Sequence, residues 1–264
     1  MNEMQIPEPS NRRSLLRGAT FAAVGIAAAS LLIPTVANAA IPSSIPGTGD
    51  IQVLNYALAL EDLEADLYVQ ALLRLTTGGI DPQAASTVGT IVGLGLSGSQ
   101  VDVSYISKFS PIEAAHRDFF KAALGASAIT TLKPAKYDFG IQNMSRMQVL
   151  DLVLEAEATG VQAYLGALPC LTAKSPYSQT AAAIQGTEAR HTTILTIVRN
   201  ILSSQGIVSD PISATAPLKG DPGGTVTAGS YDNAKPNVGT VDGRDLVITP
   251  DQVLARVGGF IKYQ

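Results

Sequence analysis

The stretches EAAH at Glu113–His116 and EARH at Glu188–His191 decide how this chain folds. They hold both of its histidines, each three residues after a glutamate. Residues three apart on a helix stand one turn apart on the same face, so each Glu-x-x-His pair can aim at a single point. Outward from EAAH, Phe109, Glu113, His116, Phe120 and Ala123 share one face of a helix over residues 102–124. Pro111 either kinks this helix or opens its second half, with Ser110 as cap. Outward from EARH, Ile184, Glu188, His191, Leu195, Val198 and Leu202 form one stripe of a helix over about residues 177–205, and Gly206 is its natural stop.

Two further helices carry a glutamate without histidine. Over residues 51–75, Leu54, Leu58, Glu61, Ala65, Tyr68 and Leu72 fall at steps of four and three, and Gly78 and Gly79 end the run. Over residues 145–168, Leu150, Leu154, Glu157, Val161, Tyr164 and Leu168 repeat those offsets, and Pro169 breaks them. Glu61 and Tyr68, like Glu157 and Tyr164, are seven apart, so each tyrosine lies on its glutamate's face. The order Glu, Glu-x-x-His, Glu, Glu-x-x-His reads as an internal duplication of a helical hairpin. It predicts an all-α fold, an antiparallel four-helix bundle over residues 51–206.

Carboxylates inside apolar stripes need a partner, because burying an unpaired charge is expensive. No lysine or arginine stands in these stripes. Two divalent cations would balance four carboxylates and two neutral imidazoles. Oxygen-rich ligation with one nitrogen per ion suits iron or manganese, iron before manganese, and zinc fits less well without cysteine. The candidate ligands are Glu61, Glu113, His116, Glu157, Glu188 and His191. Glu64 lies one turn from Glu61, as an alternative or bridging ligand or as a flanking surface charge. Tyr68 and Tyr164 either hydrogen-bond the ligand carboxylates or serve as core aromatics. Glu155 falls about 200° round the helix from Glu157 and is expected to face solvent.

The remaining segments are less regular. Arg12 and Arg13 precede an apolar run over residues 19–36 that ends at Ala37–Ala39, a small-x-small cleavage site. Residues 1–39 therefore read as a signal peptide of twin-arginine type, which places the protein in the periplasm or outside the cell. Contact with a membrane is expected only if this segment stays uncleaved as an anchor. Residues 40–50 are a Pro/Gly/Ser leader, and within residues 80–110 the glycine-rich STVGTIVGLGLSGSQ, with no sustained period, reads as a long, partly helical connection. Residues 207–264 form an irregular extension with a short terminal helix. In that helix Thr249 is N-cap, Pro250 N1 and Gln252 the capping-box partner, and Val253, Leu254, Val257 and Phe260 dock it on the bundle.

Composition excludes several functions. The 264 residues carry a formal charge of −4 without basic runs, which argues against a nucleic-acid partner. Removal of Glu3, Glu8, Arg12, Arg13 and Arg17 with the signal takes away a net +1 and leaves −5. The single cysteine, Cys170, rules out an intramolecular disulfide and a cysteine zinc cluster, and reads as a structural thiol. No G-x-G-x-x-G or G-x-x-x-x-G-K-[ST] motif supports a nucleotide site.

The stretches NYALALEDLEADLYVQAL, EAAHRDFF, EATGVQAYLGAL and EARHTTIL, with TPDQVLARVGGFI near the end, resemble the desiccation-related group of ferritin-like proteins. The likeness covers roughly residues 50–205 and the last fifteen. It implies a four-helix bundle with a di-metal centre held by the six residues named above, the ligand set of di-iron and di-manganese bundles. The glycine-rich insertion before the second helix departs from the compact ferritin pattern. The function expected is oxidation of Fe(II) or reduction of peroxide, with dioxygen or peroxide as small-molecule substrate, or a manganese catalase-like variant. The alternatives are a metal-free, non-catalytic stress-protection protein of the envelope and a metal store without turnover. A homo-oligomer is compatible with either, although the insertion and tail argue against a storage cage.

Overall fold

A computed structural model describes residues 40–80, 89–129, 137–206 and 247–257. Its long elements are α1 (Asp50–Leu75), α2 (Val101–Leu124), α3 (Arg146–Ala167) and α4 (Ser178–Ser204), followed by the short α5 (Pro250–Val257). The fold is all-α, as the stripes predict. The stripes are the buried faces: Leu54, Leu58, Glu61, Ala65 and Tyr68 of α1 are buried, as are Ile184, Glu188, His191, Leu195, Val198 and Leu202 of α4. Helix α2 runs unbroken through Pro111, which lies on the exposed side, so Ser110 caps nothing.

Side-chain bonds fix the helix directions. Lys121 near the end of α2 reaches Asp62 in α1, and Asn55 near the start of α1 donates to the Ser127 carbonyl just past α2. Arg199 late in α4 pairs with Asp151 early in α3. Both hairpins are therefore antiparallel. Helices α1 and α3 are also antiparallel, since Arg74 at the end of α1 donates to the Met144 carbonyl before α3. The α2–α3 connection leaves beside Asn55 and returns beside Arg74, so it crosses about 30 Å of bundle at 1.5 Å per helical residue. Tyr137 on this crossover is anchored to Asp62 through its hydroxyl and to Gln70 through its carbonyl.

Among its described residues the α1–α2 connection has no helix where partial helix is expected, and residues 81–88 lie outside the described residues. Its described residues form a two-stranded antiparallel ladder, β1 (Gly78–Gly79) with β2 (Ile91–Val92). Sparse side chains and positive-φ glycines favour such tight pairing over helix. Arg74 bonds the Val92 carbonyl at 2.6 Å and ties the ladder to α1.

Capping begins two helices. Ser145 and Gln148 make a capping box at α3, and Thr249 and Gln252 make the expected one at α5. Val253 and Val257 bury against the bundle with Leu254 packed beside them. Gly166 of α3 makes room for this docking, because a Cβ there would stand 2.0 Å from the Ile248 carbonyl oxygen. Phe260, the signal segment 1–39 and residues 207–246 lie outside the described residues. The described residues contain no helix long and apolar enough to cross a membrane.

Candidate metal centre

The four stripe glutamates converge between the long helices, and all four are buried at 0% exposure. Glu113 is their hub. Its Oε2 lies 3.0 Å from His116 Nδ1 and its Oε1 lies 2.7 Å from His191 Nδ1. His116 Nδ1 also stands 3.3 Å from Glu61 Oε2 and 3.4 Å from Glu188 Oε1. His191 Nδ1 stands 3.3 Å from Glu157 Oε1. Two groups of ligand atoms result, Glu61–Glu113–His116–Glu188 and Glu113–Glu157–His191, each positioned to hold a metal ion and sharing one carboxylate.

The tyrosines cross between the repeats. Tyr68 donates to Glu157 Oε1, and Tyr164 donates to Glu61 Oε1. Sequence spacing puts each tyrosine on the face of its own glutamate. The antiparallel pairing of α1 with α3 then sets it opposite the glutamate of the other repeat. Each bond occupies one carboxylate oxygen and leaves Glu61 Oε2 and Glu157 Oε2 without a hydrogen-bond partner. Glu113 Oε1, both oxygens of Glu188 and His191 Nδ1 are likewise unpartnered, their short approaches lacking hydrogen-bond alignment. Buried polar atoms are ordinarily satisfied, so this many in one place fits a cation.

The electrostatics agree. Burial pushes the Glu64, Glu157 and Glu188 carboxyls well above the usual range, and neighbouring carboxylates push them further. Glu61 is raised, chiefly by burial. Glu113 is also buried, yet its approach to His116 and His191 outweighs that and holds it below the usual range. Burial disfavours the His116 imidazolium, but Glu113, Glu188 and Glu61 push its pKa up to about 12. Without a metal, the His116 cation is the group that offsets the carboxylates.

Several features lie beyond the stripe pattern. Glu64 is buried rather than a surface charge, and its carboxyl and that of Glu188 both face Gly160. Gly160 of α3 allows this approach: a Cβ there would meet Glu188 Oε2 at 2.8 Å and Glu64 Oε1 at 3.3 Å. A glycine inside a helix is a sequence signal, but Gly186 of α4 shares it with nothing within 4 Å of its Cβ position. Phe109 stacks on His191 with centroids 3.8 Å apart and holds the ring's plane. Glu155 is half-buried on the wall of a cavity, which corrects the solvent-facing expectation; α5 and Phe139 cover that side of α3. Asp102 is buried but serves the fold, gripped by Arg146 at 2.6 and 2.7 Å.

A helical bundle with four carboxylates and two imidazoles turned inward defines a carboxylate–histidine metal-binding class. The family model of the ferritin-like domain matches residues 49–201, and the chain belongs to that family. Neither a curated protein nor a solved structure matches the chain.

Proposed function

We propose that the protein is a di-metal redox protein that handles dioxygen or peroxide. Two divalent ions would be held by Glu61, Glu113, His116, Glu157, Glu188 and His191, iron before manganese. The observation that carries this reading is Glu113, whose two oxygens face the two histidines within a cluster of unpartnered buried atoms. When bound, the ions would supply one-electron steps for ferroxidase or peroxide-scavenging chemistry. The chain's own part is to orient them. Tyr68 and Tyr164 fix the carboxylates of Glu157 and Glu61, Phe109 fixes the His191 ring, and the apolar stripes exclude water. His116 is the less buried histidine, its side chain 13% exposed, which puts the open side of the centre there.

The twin-arginine signal read in residues 1–39 supports a place outside the cytoplasm. That pathway moves folded proteins and suits a centre loaded before export. The metal-free alternative is favoured by the approach of His116 Nδ1 to Glu61, Glu113 and Glu188, which stabilises an imidazolium among the carboxylates.

Elemental mass spectrometry of the purified protein tests the proposal, with wild type set against the double variant Glu113→Ala/His116→Ala. Close to two iron or manganese ions per chain in wild type, with a sharp fall in the variant, is the expected result. A folded wild type that takes up no Fe(II) or Mn(II) under anaerobic loading refutes the redox reading and leaves the metal-free one.

A further inference from the structure

A cavity of about 360 Å³ lies beside the carboxylate cluster. Its walls are Leu60, Leu63 and Leu67 of α1, Leu152 and Ala156 of α3, and Val257 of α5. At one end are Glu64 and Gly160, and Gly160 faces the Glu188 carboxylate. Glu155 and Arg256 stand on its wall as well. The cavity thus ends on the α1–α3 side at Glu64 and Gly160, next to the carboxylate cluster.

Neither Fe(II) nor peroxide needs this chamber. Its volume falls in the range of small-molecule sites. Its polar wall groups are engaged elsewhere: the Arg256 guanidinium donates to Gln162 Oε1, and the Thr159 hydroxyl donates to the Glu155 carbonyl at 2.8 Å. An anionic head would meet the Glu64 carboxyl at the inner end. A cationic head would sit beside the carboxylate cluster and oppose metal binding there. A hydroxyl suits Glu64 in either protonation state, since it donates to a carboxylate and accepts from a carboxylic acid.

We propose that this cavity binds a neutral alcohol with a medium-length apolar body, its hydroxyl against Glu64 and its body along the leucines of α1. The proposal rests on the di-metal reading for its purpose, because it names an organic substrate class for that centre. Binding itself needs no metal.

Titration of the metal-free full chain with 1-octanol, followed by NMR and calorimetry, tests it. Wild type is expected to show one saturable site. Ala156→Phe fills the chamber and is expected to weaken binding by about tenfold or more. Leu152→Trp, nearer the surface, is a second filling variant in case the first fails to fold, and is expected to act the same way. Both variants are expected to keep the wild-type metal content, since neither residue is among the candidate ligands. No saturable binding in wild type overturns the proposal, as does equal binding in folded filling variants. Either result leaves the metal count untouched, so this failure is distinct from failure of the di-metal reading.

Discussion

Gly160→Ala separates the demands of the metal centre from those of the fold. In an ordinary helix the change stabilises by about 1 kcal/mol, because glycine loses more backbone freedom on folding. Here the new methyl would stand 2.8 Å from Glu188 Oε2 and 3.3 Å from Glu64 Oε1. Both obstacles are the far ends of flexible side chains. In the metal-free protein Glu188 can swing aside for about 0.5–1.5 kcal/mol of rotamer strain. The two effects nearly cancel, so urea unfolding of the metal-free variant should match wild type within about 1 kcal/mol. Once metal is bound, Glu188 can no longer move freely, and affinity should fall by about 10–100-fold, as when the support of a ligand is disturbed. Chelator competition with Mn(II) measures this. Gly186→Ala is the control, since nothing lies within 4 Å of its Cβ position, and it should add stability without changing affinity. An unchanged affinity in Gly160→Ala, or a loss above about 2 kcal/mol in the metal-free state, would refute the reasoning.

Tyr68→Phe and Tyr164→Phe each remove one carboxylate's donor, and should lower metal affinity by about 10–100-fold in the same competition assay while the far-UV spectrum stays helical. Asp102→Ala strips the buried partner of Arg146 and should cost about 3–5 kcal/mol of stability in urea, with the number of metal ions per folded chain unchanged. Metal-free stability should fall as pH rises above the usual carboxyl value of 4.5. There the unfolded chain ionises while Glu64, Glu157 and Glu188 keep their protons, a slope of about 1.4 kcal/mol per pH unit for each group. His116 has the same sign, its contribution full below 6.5 and lost as pH climbs toward about 12, whereas the depressed Glu113 acts oppositely and its contribution is lost toward low pH. Metal must displace these carboxyl protons, so affinity should instead rise with pH. Urea midpoints and chelator titrations at several pH values check both slopes.

Much of this molecule is legible in one dimension because helical periodicity is local. Steps of three and four put Glu61, Glu113, Glu157, Glu188 and His191 on faces that the structure buries, and they align the two repeats. The capping chemistry of Thr249 and Gln252 is local too, and so is readable. The glycine-rich connection misleads, since its β1–β2 ladder depends on pairing between residues a dozen apart and on an anchor from Arg74. What spacing cannot supply is the rotation and direction of one helix against another. Antiparallel packing of α1 on α3 sends Tyr68 to Glu157 and Tyr164 to Glu61, where spacing alone pairs each tyrosine with its own repeat. The same packing buries Glu64 and Glu188 facing Gly160 and turns Glu113 toward both histidines. The sequence by itself determined the stripe residues that face inward, but not Glu64 or Glu155. Only the tertiary structure decided which of them meet, because those contacts join side chains up to 103 residues apart through helix pairing.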